Sequence, residues 1–75
     1  MVTLHRASGW KVALYAKDHG PPHFHLEGPD YRCTVTIATL AVVIGSAPRP
    51  ALRAALEWAA QNRALLENAW QELNP

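Results

Sequence analysis

The sequence predicts a two-layer α+β fold, a three-stranded antiparallel meander packed against one long C-terminal helix. Three observations predict it. Apolar and polar residues alternate through three segments of the first half, turn chemistry separates those segments, and after Gly45 the apolar spacing lengthens to three and four. The 75 residues are read as one small domain over 1–75, near the lower limit of what a single hydrophobic core stabilises. A metal, a small protein partner or a self-dimer would supplement such a core.

The first strand is predicted over about 10–15, where Trp10, Val12 and Leu14 alternate with Lys11, Ala13 and Tyr15. A loop over 16–22 follows. The second strand, over 23–27, sets Phe24 and Leu26 against His23, His25 and Glu27, and Gly28-Pro29-Asp30 supplies the turn after it. The third, over 31–37, sets Cys33, Val35 and Ile37 against Arg32, Thr34 and Thr36 and is rich in β-branched residues. Val42-Val43-Ile44 is a candidate short fourth strand. The helix is expected over about 48–73, with Ser46 as a candidate cap and Pro48 or Pro50 in the first turn, where no backbone donor is missed.

Leu52, Leu56, Ala59, Leu66, Trp70 and Leu73 form one apolar stripe, and Trp58, Leu65 and Ala69 widen it beyond what one sheet face needs. A second packing surface is therefore expected, covered by the N-terminal segment, by the stretch from Thr39 to Ile44, by a second copy or by a partner. Trp58, Leu65 and Arg63, which lies near the stripe, are the candidate interaction residues. The sheet face opposite the helix is expected to carry Lys11, Tyr15, His23, His25, Glu27, Arg32 and Thr34, a titratable surface that packing alone does not require.

Composition narrows the function classes. Seven Lys and Arg against six Asp and Glu leave a formal net charge of +1, so no strong field steers nucleic acid to the surface. Dimerisation that gathered Lys11, Lys17 and Arg32 would be needed for a DNA-binding regulator. Cys33 is the only cysteine and alternates onto the apolar face, which fits a buried small hydrophobe in a reducing compartment. The most apolar segment, from Ile37 to Ile44, is too short to span a bilayer. A cytoplasmic location without membrane attachment is the expectation.

The run Asp18-His19-Gly20-Pro21-Pro22-His23-Phe24-His25 holds three of the four histidines. Neutral imidazole ligates metals and titrates near neutral pH, so Asp18, His19, His23 and His25 are the candidate catalytic residues. His23, His25 and Glu27 alternate on one strand face about 7 Å apart, close enough for two of them to share an ion. His19, His23 and His25 are the expected ligands of a divalent metal such as zinc, with Asp18 or Glu27 as ligand or orienting group. Such a site fits a metal-dependent or acid–base hydrolase, including a ribonuclease, with Lys11 or Arg32 stabilising a phosphate. The competing reading is structural: Asp18 bonds backbone amides in a turn, Gly20 supplies a positive φ, and Pro21-Pro22 fix the entry to the strand.

The Asp-His-x-Pro-Pro-His-x-His element at 18–25, together with Asn62-Arg63-Ala64-Leu65-Leu66-Glu67-Asn68-Ala69-Trp70 on the helix, resembles the bacterial domain-of-unknown-function 4160 family over nearly the whole chain. The resemblance implies a small cytoplasmic protein encoded beside a second small protein of the domain-of-unknown-function 2442 type. That pairing implies a two-gene toxin–antitoxin-like module acting through protein–protein interaction. It attaches no reaction, and it directs attention to Asp18, His19, Pro21, Pro22, His23 and His25, and to Asn62, Arg63 and Trp70. The Ala-rich, weakly charged helix departs from the family pattern and speaks against nucleic-acid contact through the helix.

Overall fold

A computed structural model describes residues 1–75. Five strands form one antiparallel sheet in chain order: β1 (Val2–Ala7), β2 (Trp10–Leu14), β3 (His23–Glu27), β4 (Arg32–Thr36) and β5 (Val42–Ser46). Two helices follow, α1 (Arg49–Gln61) and α2 (Arg63–Leu73). The three predicted strands are present within a residue at each end. Two expectations are corrected, the strand count and the single helix.

The additional strand is β1. An irregularity between Thr3 and His5 shifts its register, and Ser8-Gly9 closes a two-residue turn that sets Ala7 opposite Trp10, with Gly9 at φ 86°. Gly9 gives that hairpin its conformational freedom; the irregularity between Thr3 and His5 breaks the alternation that would have marked the strand in the sequence. β5 is longer than the expected fourth strand and forms the far edge of the sheet.

The helix breaks at Asn62, whose φ of −127° is not helical. Its side-chain Nδ2 donates to the Trp58 carbonyl at 2.8 Å and its amide to Ala59 O at 3.1 Å. An asparagine that satisfies a carbonyl from its own side chain competes with helix continuation, and here it ends α1 while its backbone carbonyl starts α2 by accepting from Leu66 N. Ser46 does not cap α1, because it still belongs to β5. Pro48 takes that position, and Pro50 lies in the first turn.

Phe24, Leu14, Leu26, Ile37, Leu66, Val12 and Val35 are fully buried, and Ala55, Ala59 and Trp70 complete the helix side of the core. Each large side chain contributes roughly 1.5–3 kcal/mol relative to exposure. Ala55 and Ala59 are the α1 residues buried in that core, while α2 is the helix that comes close to β2. The wide apolar helix surface is partly covered by β1: Trp58 stacks on His5 with ring centroids 4.8 Å apart, and Trp10 lies against the same imidazole. Leu65 stays 47% exposed. No helix is long and apolar enough to cross a membrane.

Candidate functional site

On the face away from the core, strand register sets Ala13, His25, Thr34 and Ile44 in one row and Lys11, Glu27, Arg32 and Ser46 in the next. The loop over 16–22 folds back across this face. Lys17 and Gly20 both have positive φ, 57° and 85°, which turns the chain tightly enough to return Asp18 over the strand it precedes. The turn is tied from a distance as well. Asn74, just past α2, accepts from the Asp18 amide at 2.9 Å and donates to Tyr15 O at 3.3 Å.

The result is a convergence of three side chains. Asp18 Oδ2 lies 2.8 Å from His23 Nε2 and 3.4 Å from His25 Nε2, with the three side chains 28%, 11% and 13% exposed. One ligand atom from each lies within 4.8 Å of the others. The two imidazoles stand edge to face, 5.2 Å between centroids, and His23 packs against Trp70. His23 Nδ1 donates to the Pro21 carbonyl at 2.9 Å. A carbonyl only accepts, so this bond fixes Nδ1 as the protonated nitrogen and aims Nε2 at the cleft. His25 Nδ1 bonds to Thr34 Oγ1 at 3.3 Å, and Tyr15 presents an edge contact to the same ring.

The electrostatics follow from burial and these bonds. Burial pushes the His25 pKa down, reinforced by the charges of Arg32 and His23 and only partly offset by the bond to Asp18. For Asp18, partial burial acts upward, but the hydrogen bonds from His25, the His19 amide and His23 outweigh it and hold the carboxyl below its ordinary range. The cluster thus presents a carboxylate and a neutral imidazole, a donor set that divalent metals favour. It opens into a cavity of about 280 Å³ whose walls include Thr34, Thr36, Val43 and Ile44.

Of the residues expected from sequence, His23, His25 and Asp18 come together and His19 does not. His19 is exposed and contributes its backbone amide to Asp18 Oδ1 at 3.1 Å. Glu27 lies in the neighbouring row, where Tyr15 Oη donates to it at 2.6 Å and Lys11 and Arg32 flank it at 3.7 and 3.1 Å. Cys33 is buried in the core, where desolvation raises its pKa. Trp58 is taken up by His5, while Arg63 and Leu65 are exposed at the start of α2. Sequence reasoning missed Asn74 and the apolar wall from β5. Asn74 acts across 56 residues, and no local pattern announces that. A wider depression of about 770 Å³ lies between the two hairpin turns, beside Arg6, Trp10 and Tyr31, without clustered ligands.

The profile of a protein family described as "Domain of unknown function (DUF4160)" matches residues 9–71. The chain belongs to this family. The DUF4160 match takes in β2 through most of α2, including Asp18, His23, His25 and Arg32, and leaves β1 and Asn74 outside it. No curated protein and no solved structure matches the chain.

Proposed function

We propose that the protein is a divalent-metal-dependent hydrolase, with Asp18 Oδ2, His23 Nε2 and His25 Nε2 as the protein ligands. The observation that carries this reading is the aim of both Nε2 atoms at one carboxylate oxygen. The donor set also has the outer partners that metal-binding histidines use: Nδ1 of His23 on a backbone carbonyl and Nδ1 of His25 on a hydroxyl. Ligand atoms around a tetrahedral zinc stand ~3.4 Å apart. Both contacts to Asp18 lie within that distance, and the three ligand atoms all lie within 4.8 Å of one another. A divalent ion held by these three residues would supply Lewis-acid activation of water near neutral pH. His19, expected as the third ligand, is replaced in this reading by Asp18.

The test is a zinc titration of the full chain followed by NMR of the imidazole resonances. Saturable shifts at His23 and His25, with His5 and His19 unmoved, and their loss in Asp18→Asn are the expected result. Shifts spread evenly over the four histidines, or none at micromolar zinc, would remove the reading. Turnover of phosphate esters that survives EDTA would transfer the chemistry to an acid–base pair of the same histidines.

A second reading, that the protein is one half of a toxin–antitoxin-like pair, is favoured by β5. Val42, Val43 and Ile44 are 38%, 55% and 68% exposed on the last strand of the sheet, and two of them wall the cleft. A strand from a small protein partner of the domain-of-unknown-function 2442 type added at this edge would pair its backbone and cover the cleft. Co-expression with the neighbouring gene product and co-purification of a stoichiometric complex would support it, and separate elution would count against it.

A further inference from the structure

Arg32 is held in a way that leaves its anion-binding groups free. Strand register places it opposite Glu27 and two residues from Thr34 on the same face, so it lies about 7 Å along β4 from the row that holds His25. Its Nε lies 3.1 Å from Glu27 Oε2. Its guanidinium carbon lies 5.2 Å from the centre of the Tyr15 ring, an arrangement in which the ring face attracts the cation. Glu27 is in turn fixed by the Tyr15 hydroxyl on the same oxygen. The ion pair makes its nearest approach to Glu27 through Nε, no hydrogen bond engages the guanidinium, and the side chain is 56% exposed.

The position matters because two cavities adjoin here. Arg32 shares a cavity of about 230 Å³ with His25, Thr34 and Ile44, and those three residues also line the cavity that holds Asp18 and His23. Lys11 does not line either cavity; it flanks Glu27 from β2, on the other side. An arginine paired with a carboxylate on its Nε side, set over an aromatic ring and with no hydrogen bond at its two terminal nitrogens is disposed for bidentate contact with an oxyanion. Ordering the side chain in advance removes most of the entropy that a free surface arginine loses on binding.

We propose that Arg32 is the substrate-anchoring residue of the cleft and that its terminal nitrogens receive a phosphoryl group of the substrate. This rests on the hydrolytic reading of Asp18, His23 and His25 and names the substrate class: a phosphate ester whose phosphoryl oxygens lie between Arg32 and His25. Tyr15 and Glu27 are positioning residues, acting through Arg32 and not on the substrate.

The experiment titrates the full-length, EDTA-treated protein with inorganic phosphate, with acetate, and with a short single-stranded RNA oligomer carrying or lacking a 5′-phosphate. The ¹H–¹⁵N resonances of the Arg32 side chain and of the Thr34 amide are followed. The expected result is saturable shifts with phosphate, none with acetate at equal concentration, and about tenfold weaker binding in Arg32→Gln, with Arg32→Lys intermediate, as loss of a charge-assisted fork predicts. Oligomer binding that needs the 5′-phosphate assigns the site to a terminal monoester. Equal binding without it assigns the site to the backbone diester. Equal shifts with acetate, no saturable shift with phosphate, or unchanged binding in Arg32→Gln would overturn the proposal. Because no metal is present, this outcome is independent of the zinc titration: anion binding with failed zinc binding retires the hydrolytic reading alone, and the converse retires Arg32 alone.

Discussion

His23 Nε2 lies 2.8 Å from Asp18 Oδ2 while its Nδ1 donates to the Pro21 carbonyl. Both partners are acceptors when the carboxyl is ionised, so only an imidazole carrying protons on both nitrogens donates to both at once. A metal ion bound by the same two atoms would take the place of a proton on Nε2.

Asp18→Asn is therefore expected to lower zinc affinity by at least ~100-fold, toward the upper end of what loss of a metal-site group costs. Isothermal titration in two buffers of different ionisation heat checks it, and also reads the proton released on binding to the unsubstituted protein. A fall of less than threefold would show that Asp18 is no ligand.

Acid should destabilise the metal-free protein in two steps. Burial lowers the His25 pKa, so the unfolded chain takes up its proton first as pH falls below the ordinary histidine value of about 6.5, and stability is lost below that point. The Asp18 pKa is lowered as well, so its contribution is present above the ordinary aspartate range and is lost as pH falls through the folded value. Urea melts in EDTA between pH 7.5 and 3 should show both losses, and His25→Gln should abolish the first. Stability that rises on acidification would contradict both assignments.

Asn74→Ala removes the contacts that tie the 16–22 loop to the end of α2. The expected cost is about 1–2 kcal/mol, the usual range for part-buried hydrogen bonds whose partners lose their mates. Amide exchange should accelerate at Asp18, and zinc affinity should fall with the His23 and His25 ligands intact. An unchanged exchange rate at Asp18 would mean that the loop holds its own shape.

Gly45→Ala should loosen β5. Gly45 has φ 77°, and a Cβ there would collide with the Arg32 carbonyl oxygen and approach Cys33 Cα at 3.1 Å. Strain of this kind costs of order 1–3 kcal/mol. Faster exchange confined to β4–β5 amides, together with weaker partner binding, is the expected signature.

The strands over 10–14, 23–27 and 32–36 were legible because the sheet has one buried face: period-two alternation is the direct trace of that burial. The same alternation assigned His23 and His25 to one face with Glu27, Arg32 and Thr34. β1 and the break at Asn62 were less legible, since each depends on one short local signal, a Ser-Gly turn and an asparagine side chain that competes for a carbonyl.

By itself the sequence determined the α+β class, the two-faced character of the sheet and the placing of His23 and His25 on one face just after the loop. Only the tertiary structure decided which groups meet them. Bringing Asp18 rather than His19 against His23 and His25 required the loop to fold back under two positive φ angles and the Asp18 amide to donate to Asn74, 56 residues away. Periodicity is a property of neighbours along the chain, whereas a ligand set is a property of distances through space. Loop closure and long-range hydrogen bonds set those distances.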